Sequence, residues 1–262
     1  MFLKIVMVGL LLLPLTSVAA SKSPLQAAVD NEARPAEEAA RDVYRNPYET
    51  LKFFGLEADQ TVVELFPGNG WYTAILAPYL AAEGRFVAAH FNLDREPLPG
   101  FYEPVRERYE ARFPDVEIAA FDPPEFAAPV AAGEADLVLT FRNVHSWLRD
   151  GQLDDVFAAA HTMLREGGVF GVVGHRLPED REQDPEAATG YVKESVVIGI
   201  AEAAGFRLAE RSEINANPAD TADHPDGVWM LPPQSRVPDD ADAEHYAEIG
   251  ESDRFTLKFV RD

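Results

Sequence analysis

The chain contains no cysteine. That excludes disulfides, thiolate metal sites and a lipid anchor on an N-terminal cysteine. Cations are few: 23 Lys and Arg stand against 45 Asp and Glu, for a formal net charge of −22. A field of that sign repels phosphate backbones and anionic membrane surfaces. Nucleic acid is therefore not an expected partner, while small molecules and proteins are; solubility alone would also account for the charge. A bilayer-spanning apolar run is lacking as well, since the stretch from Ile5 to Leu15 is short and broken by Pro14. With Lys4 before it and Val18-Ala19-Ala20 after it, the stretch reads as an export signal, residues 1–20, cleaved before Ser21. The expected location is periplasmic or secreted, with no membrane insertion after cleavage. Two nucleotide-binding patterns are also missing: there is no G-x-x-x-x-G-K-[ST] and no complete G-x-G-x-x-G.

What is present is a chain of 262 residues, 47% hydrophobic and 26% charged, which predicts a folded core rather than disorder. Residues 21–46 read as an Ala- and Glu-rich helical arm, with Pro35 opening a helix over AEEAARDVY. PYETLKFFGLE reads as a second short helix stopped at Gly55, and the two together cap the main domain, 47–262. Beyond them short apolar runs at 61–66, 84–91, 116–121, 135–141 and 168–175 alternate with helical stretches. These stretches are WYTAILAPYLAA with a kink at Pro78, YEPVRERYEARF, and QLDDVFAAAHTMLREGG with a glycine stop. YVKESVVIGIAEAAG then precedes two last strands, FRLAERSEI and FTLKFVR. Strand–helix alternation of this kind predicts a parallel α/β sheet. The Pro- and Asp-rich segment 215–253 interrupts the last two strands and reads as a lid on the substrate side.

Ligands in open parallel sheets sit beyond the carboxyl ends of the strands. VVELFPGNGWYT occupies that place after the first strand. Gly68 and Gly70 let the backbone turn sharply and approach a ligand, Pro67 fixes the entry, and the helix that follows offers free N–H groups. Phe66-Pro67 and Thr73 stand where a dinucleotide loop needs its first and third glycines, which counts against a nicotinamide or flavin reading.

ELFPGNG resembles motif I of class I S-adenosylmethionine-dependent methyltransferases. With GVVGHR, GYVKE, NPADTADHPDGVW and FTLKFV, the chain is similar over about residues 40–262 to a group of predicted methyltransferases that often carry signal peptides. The resemblance implies a Rossmann-like seven-stranded sheet of order 3-2-1-4-5-7-6 with helices on both faces, the last strand antiparallel. It implies S-adenosylmethionine as cofactor. Glu64 would orient the methionine amino end, and Phe66, Gly68, Asn69 and Gly70 would line the cofactor. Asp122 would sit near the adenine, and Arg142 and Asn143 beside the sulfonium. One departure stands out. Where the family's second strand ends in an acid that holds both ribose hydroxyls, this chain has His90, with Asp94 four residues on. An imidazole cannot accept from two hydroxyls as a carboxylate does. Unless Asp94 folds back, about 1–3 kcal/mol of affinity is forfeited.

Methyl transfer from a sulfonium is an in-line displacement whose main requirement is orientation. In FRNVHSW, His145 is the general-base candidate, or else it caps the next segment; Trp147 is an apolar wall or a core residue. Tyr191 is a second catalytic candidate. His175 and Arg176 can bind an acidic acceptor, unless Arg176 pairs with the acids of PEDREQDPE. Asp220, Asp223 and Asp226 do not match a calcium loop, and no metal is expected. The leading expectation is an exported methyltransferase acting on a small molecule. The alternative is a binding protein that kept the fold and lost the cofactor, because the donor is made in the cytosol.

Overall fold

The computed structural model describes residues 22–262. The expected export signal, residues 1–20, and its expected cleavage point lie outside the described residues.

The arm is a string of short helices: α1 (Pro24–Val29), α2 (Ala36–Ala39), α3 (Asp42–Arg45) and α4 (Pro47–Phe54). The single helix expected over 36–44 is broken at Ala40-Arg41. The break separates two tasks, because Glu38 binds Arg112 whereas Arg41 turns to Glu251 on the far side of the chain. Asn46, left-handed at φ 40°, sets α4 at an angle to α3, and Gly55 at φ 82° ends α4 as expected.

The main domain alternates as its pattern predicts. In chain order come β1 (Thr61–Leu65), α5 (Thr73–Leu80), β2 (Arg85–Phe91), α6 (Tyr102–Arg112), β3 (Glu117–Phe121), β4 (Ala135–Phe141), α7 (Val144–Arg149) and α8 (Leu153–Met163). Then follow β5 (Leu164–His175), α9 (Glu194–Ala203), β6 (Phe206–Ser212), a 3-10 turn at Gly227–Met230, α10 (Ala243–Ile249) and β7 (Arg254–Arg261). The seven strands lie in the order β3-β2-β1-β4-β5-β7-β6, with β7 antiparallel to both of its neighbours. The α5 helix runs through Pro78. Leu164 to Gly168, read from sequence as the end of a helix, instead opens β5: Leu164 pairs with Ala135, and a register shift follows before Val169 pairs with Leu137. The segment 215–253 is not a bare loop, since it carries the 3-10 turn and α10.

The sheet separates two cores. Val63, Leu65, Val87, Val138 and Phe170 face α7, α8 and α9. Val62, Ala88, Leu137, Leu139 and Val173 face the arm, α5 and Tyr109 of α6. Strand periodicity puts Glu64 on the second face, with Val62. Phe54 of the arm is wholly buried there. Truncating such a ring costs about 3–5 kcal/mol. Phe54→Ala should therefore lower the free energy of urea unfolding by that amount in a single transition; a loss below about 1 kcal/mol would mean that the arm is not part of the folding unit.

Candidate active site

The two central strands end alike. Phe66, just past β1, has φ 50°, and Arg142, just past β4, has φ 64°. Left-handed backbone at a non-glycine residue costs roughly 1–2 kcal/mol and persists only where packing and hydrogen bonds enforce it. The Phe66 ring is wedged against Phe91, Phe121 and Trp147, at centroid distances of 4.8, 6.0 and 5.3 Å. The Asn143 amide nitrogen donates to the carbonyls of Leu65 and Phe66, both at 3.1 Å, and lies 3.0 Å from Thr140 Oγ1. Asn143 thus ties the loop after β1 to the tip of β4. Trp147 is buried beneath that loop as a core residue.

The loop then turns through Gly68 at φ 61° and Gly70 at φ 81°. A Cβ on Gly70 would lie 2.1 Å from Phe113 Cε2, so no side chain fits. A Cβ on Gly68 would meet nothing within 4 Å, which leaves open space over the loop. Asn69 is exposed, and its carbonyl accepts from Arg112 at 3.1 Å. Arg112 also pairs with Glu38, so the arm is fastened to the loop.

Beneath the loop lies Glu64, 2% exposed. It accepts from Thr73 Oγ1 at 2.8 Å, and Thr73 Oγ1 is 3.1 Å from Tyr109 Oη. One hydroxyl has one proton, so Tyr109 donates to Thr73 and Thr73 to Glu64. Burial pushes the Glu64 carboxyl up to about 8, against the opposing Thr73 hydrogen bond.

At the end of β2, His90 is fully buried. Its Nδ1 accepts from the Phe91 N–H at 2.9 Å, which leaves Nε2–H to donate to the Gly68 carbonyl at 3.2 Å. Both nitrogens serve the backbone, and the ring braces the glycine turn. Burial lowers its pKa to about 4, so it is neutral. Asp94 is exposed, four residues on, and Asn92 Oδ1 accepts its N–H at 3.1 Å. Asp122, half-buried after β3, accepts from Gln152 at 3.1 Å and Arg95 at 3.3 Å.

On the β4–β5 side, His145 sits in the first turn of α7 and is buried. It is a helix residue rather than a cap. Its ring is 5.5 Å from that of His175 and 5.3 Å from that of Trp229. Burial, helped by the nearby Arg142 charge, lowers the His145 pKa to about 4. His175 Nδ1 pairs with Ser252 Oγ, and burial with His145 beside it holds His175 well below its ordinary value. Both imidazoles are neutral. Trp229 also lines a cleft of about 350 Å³ with Ala188, Thr189, Pro225, Asp226 and Arg236.

Tyr191 is committed elsewhere. Its hydroxyl donates to Asp220, 2.9 Å from either carboxylate oxygen. Asp220 also meets His224 Nε2 at 2.9 Å and accepts from the Ala222 and Asp253 N–H groups. This cluster pins the 215–253 segment to the stretch that precedes α9 and to the start of β7. Burial and Asp220 push the Tyr191 pKa upward, which keeps it protonated. Arg176 is ion-paired, but not with PEDREQDPE: its partners are Asp253, Glu213 and Glu194. Reading by sequence missed Thr73 and Tyr109, whose only signal is their spacing from Glu64. It also missed Arg45, Glu251 and Arg254, which meet only in the fold.

No protein-family model matches the chain, and no curated protein matches it in sequence. Solved structures do match. A SAM-dependent methyltransferase from Aquifex aeolicus superposes with a TM-score of 0.55 at 14% identity, over 92% of this chain and 100% of its own. A geranyl diphosphate methyltransferase, solved in complex with SAM, gives 0.54 at 13% identity, over 90% of this chain and 95% of its own. The chain has the class I methyltransferase fold. In that methyltransferase fold the turn after β1 and the tip of β4 flank the crevice at the middle of the sheet.

Two buried acids give opposite pH signatures. Glu64, raised from 4.5 to about 8, keeps a proton in the native state that the unfolded chain has lost. Stability therefore falls across that window, by about 1.4 kcal/mol per pH unit at most. Glu251 is pushed up by burial, but Arg254, Arg45, Arg142 and Arg41 outweigh this and hold it at about 2. Its contribution is present above 4.5 and is lost as pH falls through 2. Glu64→Gln should flatten the neutral-side decline in unfolding free energy and leave the acid limb in place. An unchanged decline would assign it to another group.

Proposed function

We propose that the protein is an exported methyltransferase that uses S-adenosylmethionine on a small-molecule acceptor. The observation that carries this reading is the glycine turn after β1, with open space over Gly68, facing the Arg142 tip of β4 at the switch point of the sheet. The donor, when bound, supplies a methyl group activated on a sulfonium. Gly68, Asn69 and Gly70 would line its methionine end, with Phe66 shaping the turn. Glu64 would meet the ammonium through the loop, and a cation beside it favours the ionised carboxylate. Asp122 and Asp94 are the acids available for the adenine and ribose ends. His90, with both nitrogens engaged, is not a ribose partner in this arrangement.

For the acceptor side, the neutral imidazole of His145 can take a proton from an acceptor held against Trp229, and the cleft beside Trp229 offers an approach for a small molecule. Asn143 is a positioning residue, because it sets the distance between the loop and the tip of β4. Tyr191, held protonated on Asp220, anchors the lid and does not serve as a base. The alternative, a binding protein with this fold and no cofactor, draws on His90.

Calorimetric titration with S-adenosylmethionine separates the two. Micromolar affinity is expected. Gly68→Asn is the informative variant: asparagine tolerates a left-handed backbone, and its side chain enters space that no protein atom fills. It should keep the melting temperature and lose at least about tenfold in affinity. A folded wild type that binds nothing, or binding indifferent to Gly68→Asn, would leave the cofactor reading without support. For export, N-terminal sequencing of secreted material should begin at Ser21; an intact Met1 on cytosolic protein would overturn that part.

A further inference from the structure

Four arginines converge behind the tip of β4. Arg41 and Arg45 come from the arm, Arg142 from the end of β4 and Arg254 from the start of β7. One carboxylate touches three of them, and Arg142 lies only within its field. Glu251 accepts from Arg41 Nε at 2.6 Å, from Arg45 Nε at 3.1 Å and from Arg254 Nη2. Nearby acids are spoken for: Asp42 is held by Arg34 at 2.7 and 2.8 Å, and Asp253 by Arg176. The group therefore carries a surplus of three positive charges in a chain whose net charge is −22.

The donors are also in surplus. Arg45 and Arg254 are 3% and 2% exposed, yet Arg45 Nη2 and Arg254 Nε, together with Arg41 Nη2, have no hydrogen-bond partner among the described residues. Buried guanidinium N–H groups are normally satisfied, and each exception calls for an explanation. The Arg142 guanidinium makes no hydrogen bond to a described residue, and its left-handed backbone holds it at this place despite the strain. Burial first, and then the charges of Arg45 and Arg254, pull Arg142 well below its ordinary pKa, against the opposing charge of Glu251. The cluster adjoins the acceptor side, because His175, paired with Ser252 and next to His145, lies in the field of Arg254, Arg142 and Arg45.

The proposed donor carries a sulfonium and an ammonium against one carboxylate, so it is itself a cation. A surplus of three positive charges beside a cationic donor favours an acidic second ligand. We propose that Arg45, Arg142 and Arg254 form a carboxylate-binding site that anchors an acidic methyl acceptor of the dicarboxylate class. The uncommitted Arg142 guanidinium can donate two parallel N–H bonds to one carboxylate, and Arg45 Nη2 and Arg254 Nε each leave one further donor. The word acceptor rests on the methyltransferase reading; the anion site itself does not.

The probe is succinate, with uncharged succinamide as its control, titrated at low salt into the full mature chain. Succinate should bind and raise the melting temperature, and succinamide should do neither. Arg142→Gln, which relieves like-charge crowding and so retains the fold, should weaken succinate at least about tenfold. Arg149→Gln, at an exposed arginine paired with Asp150, should leave it unchanged. Succinate should also bind protein already saturated with S-adenosylhomocysteine. Mutual displacement of the two would overturn the proposal, because the arginines would then hold the donor's own carboxylate. No succinate binding, or equal loss in Arg142→Gln and Arg149→Gln, would overturn it as well. If S-adenosylhomocysteine fails to bind while succinate binds through Arg142, the methyltransferase reading falls and the anion site stands. If the reverse holds, only the anion site falls.

Discussion

The geometry of the site depends on one side-chain amide. Asn143 stands just past β4 and donates into the carbonyls of Leu65 and Phe66, which end β1. Parallel neighbours are paired along their length, but their carboxyl ends are free to splay, and ligand crevices open there. By bridging the two tips, Asn143 fixes how far the glycine turn stands from Arg142. The Phe66 ring, packed on Phe91, Phe121 and Trp147, holds the turn from the other side. His90 braces its far end through the Gly68 carbonyl. The turn is thus positioned from three strands, and its left-handed residues are held by groups outside it.

Around this junction the molecule separates its charges. On one face of the crevice an isolated acid, Glu64, is buried with hydroxyl partners alone, and burial raises its pKa. Elsewhere Glu251 is buried among arginines, which lower its pKa despite the same desolvation. A buried acid with no cationic partner and a carboxylate outnumbered by arginines are opposite electrostatic environments. His145 and His175 are neutral, so neither adds to the positive charge.

Much of this was legible in the residues, and the rest was hidden for physical reasons. The inner parallel strands β1, β2 and β4 announce themselves because strands covered on both faces are largely continuous apolar runs, with Glu64 the one break in VVEL. Strand order followed from the resemblance, and the pairing agrees with it. The arm helix over 36–44 was misjudged because local propensity favours it, while the break at Arg41 answers to an acid 210 residues away. The early start of β5 was hidden by glycines that look like a helix stop but serve a register shift. His90 was visible as a departure, yet its engagement with the backbone at both nitrogens was not. Tyr191 was read as catalytic, whereas its hydroxyl is committed to Asp220, which lies 29 positions on, within the segment read as a lid. The arginine cluster has no local signature at all, since its members are gathered from the arm, β4 and β7.

The central claim is that the turn after β1 and the tip of β4 together hold an adenosyl donor. Amide hydrogen exchange with and without S-adenosylhomocysteine tests it most directly, because the readout is positional and needs no acceptor. The account predicts slowed exchange in residues 66–73 and 142–145, with smaller changes near 90–95 and 122–126. Unchanged exchange across both central segments, in protein shown to be folded and in excess ligand, would contradict it.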